Sequence, residues 1–248
     1  HGRQNLDPAR QAEALAYYFR NGPIGELLST VGSDNARLRN VAVVGLGAGT
    51  LAAYAQPDQN WDFYEIDPSV VFIARETGYF TYLQDATRRG AKVQVIQGDG
   101  RFQLGRSEKE YDVIILDAFS SDSIPTHLFT REALDSYRKR LDENGRIAIH
   151  YSSRYFNLLP VLGALATSAE PPLIPLYRED LWVTDADKSS GKAPSRWAVF
   201  ARSTDDPAVR VLLDVGWQAV PPDGITAPWT DDHANILRAL QSIPEPGE

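Results

Sequence analysis

The chain has 248 residues, 33 acidic against 25 basic side chains, a formal charge of −8, and neither cysteine nor methionine. Without thiols it can build no disulfide framework, thiolate metal site or cysteine nucleophile, and its acidity argues against a general binder of phosphate backbones. The 43% apolar fraction can fill a substantial core, yet no apolar run approaches the ~20 residues of a membrane span. The N-terminus HGRQNLDPAR has no signal-peptide core, and because the chain opens on His1 rather than Met, a piece of a longer polypeptide is expected.

Residues 9–31 read as helical, ARQAEALAYYFRN and then PIGELLSTV, broken at Gly22-Pro23. From residue 40 the pattern changes to short β-branched runs: VAVVG (41–45), WDFYEI (61–66), KVQVIQ (92–97), YDVIILD (111–117) and RIAIHY (146–151). Helix candidates separate them: GTLAAYAQ, PSVVFIARE, YFTYLQDATRRG and TREALDSYRKRL. Strands alternating with helices predict a parallel sheet built from right-handed crossovers. Further on, residues 155–168 read as helical despite Pro160. PLIPLYRED and SRWAVFARS read as an antiparallel strand pair around the polar segment DADKSSGKAPS. A short helix follows Pro207, and HANILRALQ is a candidate for the last. One α/β domain is expected.

Chemistry-bearing residues gather where these strands end. The first run leads into Gly45-Leu46-Gly47-Ala48-Gly49-Thr50, a loop in which glycines permit a sharp turn and close approach of a ligand. Thr50 stands where the dinucleotide fingerprint needs its third glycine, so a dehydrogenase is disfavoured. Glu65 ends the second run, where an acid can accept from both hydroxyls of a ribose. Asp67-Pro68 reads instead as a helix cap. Gly98-Asp99-Gly100 follows the third run, where a carboxylate can accept from an exocyclic amine and the glycines admit a flat ring. Asp117 ends the fourth, projecting over the carboxyl edge at which open α/β sheets bind ligands. Each aspartate alone could equally be a loop cap. Four such features at the ends of four successive strands describe an adenosine-shaped site with an acid at its edge.

With these residues in place, the run from Val41 to His150 resembles the core of class I S-adenosylmethionine (SAM) enzymes, and more specifically the spermidine synthase (polyamine aminopropyltransferase) family. EIDPSVVFIAR, VIQGDGRF, YDVIILDAF and LFTREALDSYRKRLDENGRIAIH follow that family's order, and HGRQ with Tyr17-Tyr18 is similar to its N-terminal elements. The resemblance implies a Rossmann-like class I methyltransferase fold with a mostly parallel seven-stranded sheet and helices on both faces. Residues 1–39 would form a helical segment contributing to the active site, and 40–248 the nucleoside-binding catalytic domain. It implies a transferase that moves an aminopropyl group from a SAM-derived sulfonium to an amine, with SAM or decarboxylated SAM as co-substrate and no metal. Gly45, Gly47, Gly49, Glu65, Gly98 and Asp99 would hold the nucleoside. Asp117 would accept the amine proton beside Tyr18, with Gln4 and Tyr17 lining the amine pocket. Partners implied are a small amine, a homodimer mate and a covalent membrane domain upstream of residue 1, in a cytoplasmic setting; nucleic acid is not among them.

Two positions depart from the family pattern. Ala48 stands in the glycine loop where the family carries an Asp that holds the donor's ammonium. Ser120 stands where a second acid follows the catalytic one, with Asp122 as a replacement by a loop shift. Intact SAM, with methyl transfer or sulfonium cleavage, is therefore an alternative, as is a non-enzymatic nucleoside sensor. Asp231, in TDDHANIL, reads either as part of a helix-start cluster or as an acid of the amine pocket, and its neighbours Asp232 and His233 are too close in sequence to converge on a metal. His127 and His150 have no recognisable base–nucleophile partner and read as structural. Residues 118–128 read as a polar loop, either a lid over the site or an ordinary connection.

Overall fold

The computed structural model describes residues 2–33, 38–118 and 124–240. Eight strands form one sheet: β1 (Asn40–Val44), β2 (Asn60–Glu65), β3 (Lys92–Gln97), β4 (Tyr111–Leu116), β5 (Leu141–His150), β6 (Ile174–Asp180), β7 (Ser195–Ala201) and β8 (Gln218–Ala219). Their order is β3-β2-β1-β4-β5-β7-β6-β8. The first five are mutually parallel, and β7, β6 and β8 join antiparallel. This is the expected Rossmann-like class I methyltransferase architecture, and the seven strands anticipated gain a two-residue eighth at the far edge.

Eight helices accompany the sheet among the described residues: α1 (Pro23–Ser33), α2 (Pro68–Arg75), α3 (Tyr82–Arg88), α4 (Gly100–Arg106), α5 (Arg131–Arg138), α6 (Leu159–Thr167), α7 (Asp185–Ser189) and α8 (Pro207–Asp214). Beyond Asn40 and Asp112, strands β1 and β4 run apolar to their ends because both of their faces are covered. Val41, Val43, Val113 and Ile115 pack with Leu27 of α1, Leu83 of α3 and Leu212 of α8. Ala42, Val44, Ile114 and Leu116 pack on the opposite face with Leu104 of α4, Leu134 of α5 and Leu165 of α6. Burying alternate residues on opposite faces makes register costly to change, since a slip of one residue would exchange the two sets.

Several elements differ from expectation. Residues 9–21 are not helical. Ala16 takes a positive φ of 60°, and its N–H and C=O pair with Gly191 O (2.8 Å) and Ala193 N (3.2 Å) rather than along a helix. GTLAAYAQ forms only a 3-10 helix at Thr50–Tyr54, entered from Gly49 in the left-handed region (φ 76°). HANILRALQ gives a single 3-10 turn at Ile236–Ala239. Conversely, the polar segment after β6 contains α7, started by a reciprocal cap between Thr184 and Asp187. Helix α4, unanticipated, starts directly after Asp99. Among the described residues no helix is long and apolar enough to cross a membrane.

Candidate active site

The ends of β1 to β5 lie side by side because these strands are parallel and adjacent, so the loops that follow them share one edge. Gly45 continues β1, its N–H donating to Tyr64 O (2.8 Å). Its φ is 102°, and a Cβ built on it would lie 2.3 Å from the Asp117 carbonyl oxygen, so only glycine lets the loop touch the end of β4. Gly47 and Gly49 also have positive φ, 51° and 76°. Glu65, partly buried, ties this loop to the next: one carboxylate oxygen accepts from Leu46 N (3.0 Å), the other from Asp67 N (2.9 Å). Asp67 caps α2 by accepting from Ser69 N, as its Asp-Pro context predicts.

Gly98 (φ 140°) donates its N–H to Glu65 O and leads to Asp99. One Asp99 oxygen caps α4 through Phe102 N (3.0 Å), while the other lies 3.8 Å from His127 Nε2. Asp99 thus caps a helix with one oxygen and keeps the other at the edge. His127 is half exposed beside it rather than buried in the interior.

Asp117 is the most enclosed acid at the edge, its side chain 8% exposed. Tyr18 donates its hydroxyl to Oδ2 at 2.6 Å, reaching across 99 residues of sequence. Burial, and then the Asp117 charge, push the Tyr18 hydroxyl well above its usual pKa of 10, so it remains a protonated donor. Burial and the same charge also raise Tyr17. The Tyr17 ring stands edge-on to Tyr18 (5.1 Å between centroids). On Oδ1 sits His150, whose Nδ1 is 2.7 Å away. The sequence reading of His150 as a histidine without such a partner is therefore corrected. The signal was its place: β4 and β5 pair with Leu116 opposite Ile149, so the next residues, Asp117 and His150, emerge side by side.

Two expected pocket residues are hydrogen-bonded within the protein. The Gln4 amide accepts from Thr81 N (2.8 Å) and donates to Thr81 Oγ1 (2.7 Å) and Gln11 O (2.9 Å), so it pins the N-terminal segment to the start of α3. Asp231 forms a two-pronged pair with Arg101 (2.7 Å for each bond) and accepts from Thr130 Oγ1 (2.7 Å). Arg101 and then Thr130 hold its carboxyl down to about 2. It is a latch between the C-terminal segment and α4, and residues 230–233 form a tight turn rather than a helix start. Ser120 and Asp122 lie outside the described residues. No cluster of metal-ligating side chains occurs among the described residues.

A family model for the spermine/spermidine synthase domain matches residues 26–160, just over half of the chain. A polyamine aminopropyltransferase from Vibrio vulnificus (strain CMCP6) is 34% identical over 117 residues, which cover 45% of this chain and 37% of that relative. The chain spans less than half the length of the curated relatives it matches most strongly. Among solved structures, a probable spermidine synthase from Corynebacterium glutamicum aligns with a TM-score of 0.62 and 18% identity over 91% of this chain and 84% of its own. Spermidine synthase from Thermotoga maritima aligns with a TM-score of 0.51 and 18% identity, covering 74% and 59%. At these identities the structural likeness concerns the fold.

Proposed function

Because the chain belongs to the spermine/spermidine synthase domain family, we propose that it transfers an aminopropyl group from a SAM-derived sulfonium to a small amine. The observation that carries this reading is Asp117: a nearly buried carboxylate at the carboxyl edge, held by the Tyr18 hydroxyl at 2.6 Å and abutting the glycine loop. Glu65, bridging the loops after β1 and β2, would take the ribose hydroxyls with its remaining lone pairs. The outward oxygen of Asp99 would take the adenine amine, between Gly98 and Gly100. The glycine loop, with Gly45, Gly47 and Gly49, would admit the rest of the nucleoside.

An amine acceptor is protonated near neutral pH, its usual pKa being about 10. Asp117 would receive that proton and hold the nitrogen in line with the carbon beside sulfur. The new C–N bond forms as the C–S bond breaks, and its electron pair stays on sulfur, leaving methylthioadenosine as a neutral thioether. No acid is needed for departure, so the protein supplies alignment, a proton acceptor and exclusion of water. The amine, its cytoplasmic setting and decarboxylated SAM as the donor form part of the same proposal.

Intact SAM is the second donor to test. Ala48 is buried in the glycine loop against Gly2, where a Cβ on Gly2 would come within 2.2 Å of the Ala48 Cβ, so the loop presents a methyl group where the family resemblance expects an acid. The experiment incubates the protein with either donor and a mixed amine pool, then identifies the nucleoside product by mass. Methylthioadenosine with an alkylated amine supports the proposal, and Asp117→Asn should retain nucleoside binding while losing turnover. S-adenosylhomocysteine would replace it with methyl transfer, and binding without any product with a sensor. Undiminished turnover in Asp117→Asn would remove Asp117 from its role.

A further inference from the structure

His150 is a side chain that the alkyl-transfer chemistry above leaves unused. It closes β5 with its side chain only 5% exposed, and its ring is stacked on Trp197 (4.7 Å between centroids, 19° between planes) with Tyr17 on another side (5.0 Å). Both ring nitrogens are engaged: Nδ1 with Asp117 Oδ1 and Nε2 with Ser152 Oγ, each at 2.7 Å. Ser152 Oγ in turn accepts the backbone N–H of Arg196 at 2.8 Å, an anchor set by the packing of the β5 end on β7.

The hydrogens in this chain of contacts follow from what each group can do. An ionised carboxylate only accepts, so the Nδ1 contact requires a hydrogen on Nδ1. The neutral ring must then accept at Nε2, and Ser152, whose oxygen already accepts from Arg196, has its hydroxyl hydrogen to give. The backbone N–H of Arg196 thus orients Ser152, Ser152 sets the tautomer of His150, and His150 presents Nδ1–H to Asp117.

We propose that His150 is a positioning residue for Asp117, fixing the carboxylate in the plane that faces the acceptor amine, with Ser152 selecting the tautomer that makes this possible. Tyr18 on Oδ2 and His150 on Oδ1 donate to opposite oxygens, so the carboxylate cannot turn about its terminal torsion without breaking one of two bonds. Trp197 and Tyr17 keep the ring from swinging away. The kinetic consequence rests on the alkyl-transfer reading; the tautomer does not.

The test therefore has two arms. In the first, long-range proton–nitrogen NMR on histidine-labelled protein at pH 8 reads the ring nitrogens directly, with the His150→Asn variant identifying His150 among the four histidines. The expected result is a protonated Nδ1 and a bare Nε2, reverting toward the Nε2–H form in Ser152→Ala or Asp117→Ala. An Nε2–H or doubly protonated ring in the unmodified protein overturns the proposal. In the second arm, His150→Leu lowers kcat about 10–150-fold with the donor KM within about twofold, the loss expected when one hydrogen bond to a charged group is removed. His150→Asn, which keeps an N–H at the Nδ1 position, recovers most of that rate. Equal losses in the Leu and Asn variants would reduce His150 to packing. Should the unmodified protein transfer no alkyl group at all, the alkyl-transfer reading fails, and the NMR arm still decides the tautomer.

Discussion

Replacing Tyr18 by Phe tests the organisation of the Asp117 site most directly. The substitution keeps the buried ring and its edge-on contact with Tyr17, and removes one oxygen. It leaves no large cavity, so a loss must come from the hydrogen bond and not from packing. The lost bond is 2.6 Å long and ends on a carboxylate with an 8% exposed side chain. Hydrogen bonds to charged groups contribute about 1.5–3 kcal/mol, and a buried acceptor left without its donor loses on that scale. At 1.36 kcal/mol per tenfold, a comparable loss at the transition state lowers kcat by about 10–150-fold. Because burial and the Asp117 charge raise the Tyr18 pKa above 10, its neutral donor form is favoured in the fold. The stabilisation is then fully present below the ordinary pKa and is lost only as pH rises through the raised one. The deficit should accordingly be the same at pH 7 and pH 9. Steady-state alkyl transfer with donor and amine varied separately, alongside urea unfolding, measures it. A kcat within twofold of the unmodified protein would refute the claim that Tyr18 organises Asp117.

Gly45→Ala should cost more than about 2 kcal/mol in urea unfolding, since it sets a Cβ 2.3 Å from the Asp117 carbonyl oxygen at a φ of 102°; wild-type stability would show that the two loops can separate freely. Glu65→Gln turns an NH2 toward either Leu46 N or Asp67 N, so methylthioadenosine binding by calorimetry should weaken about tenfold, and unchanged affinity would argue against the ribose role. For Asp231, Arg101 and then Thr130 lower the carboxyl from 3.8 to about 2. Its contribution is present above the ordinary value and disappears as pH falls from 3.8 through 2. With a side chain 44% exposed, that contribution is about 1 kcal/mol or less. A carbon-13 titration of the Asp231 carboxyl should have its midpoint near 2, and a midpoint near 4 would break the latch.

The parallel half of the sheet was legible because burial on both faces makes residues 41–44 of β1 and 113–116 of β4 continuously apolar, and because strand ends carry the acids. Glu65 and Asp117 stand where that reasoning put them. The N-terminal segment misled for a physical reason. Ala14, Leu15 and Tyr18 are buried at helix-like spacing, but the backbone groups of Ala16 are satisfied by residues 191 and 193, a partner no local pattern announces. Helix α4 was hidden by its glycines, while Asp99 was read as ligand or loop and not as the cap of a helix. Arg101 and Asp231, 130 residues apart, meet only once the C-terminal segment is laid across α4. The His150 contact follows from strand adjacency: β4 and β5 pair with Leu116 opposite Ile149, which sets the next residues, Asp117 and His150, side by side.

The acid at the edge is thus assembled from three distant stretches of chain, and each constrains the others. Asp117 follows β4 and His150 closes β5, so their separation is fixed by a strand register buried on both faces. Tyr18 has no such frame. It belongs to a segment with no helix of its own, pinned by Gln4 and Thr81 at one end and by Ala16 with Gly191 and Ala193 near the other. The loop that holds Ala16 is in turn tied to β6 by the partly buried Lys192–Asp180 pair. The sheet therefore supplies one donor to Asp117 rigidly, and the N-terminal segment supplies the other through contacts that cross the molecule. Changes at Gly191 or Lys192, far from Asp117 in sequence, should act on the proposed reaction through the Tyr18 hydroxyl while leaving the His150 contact in place.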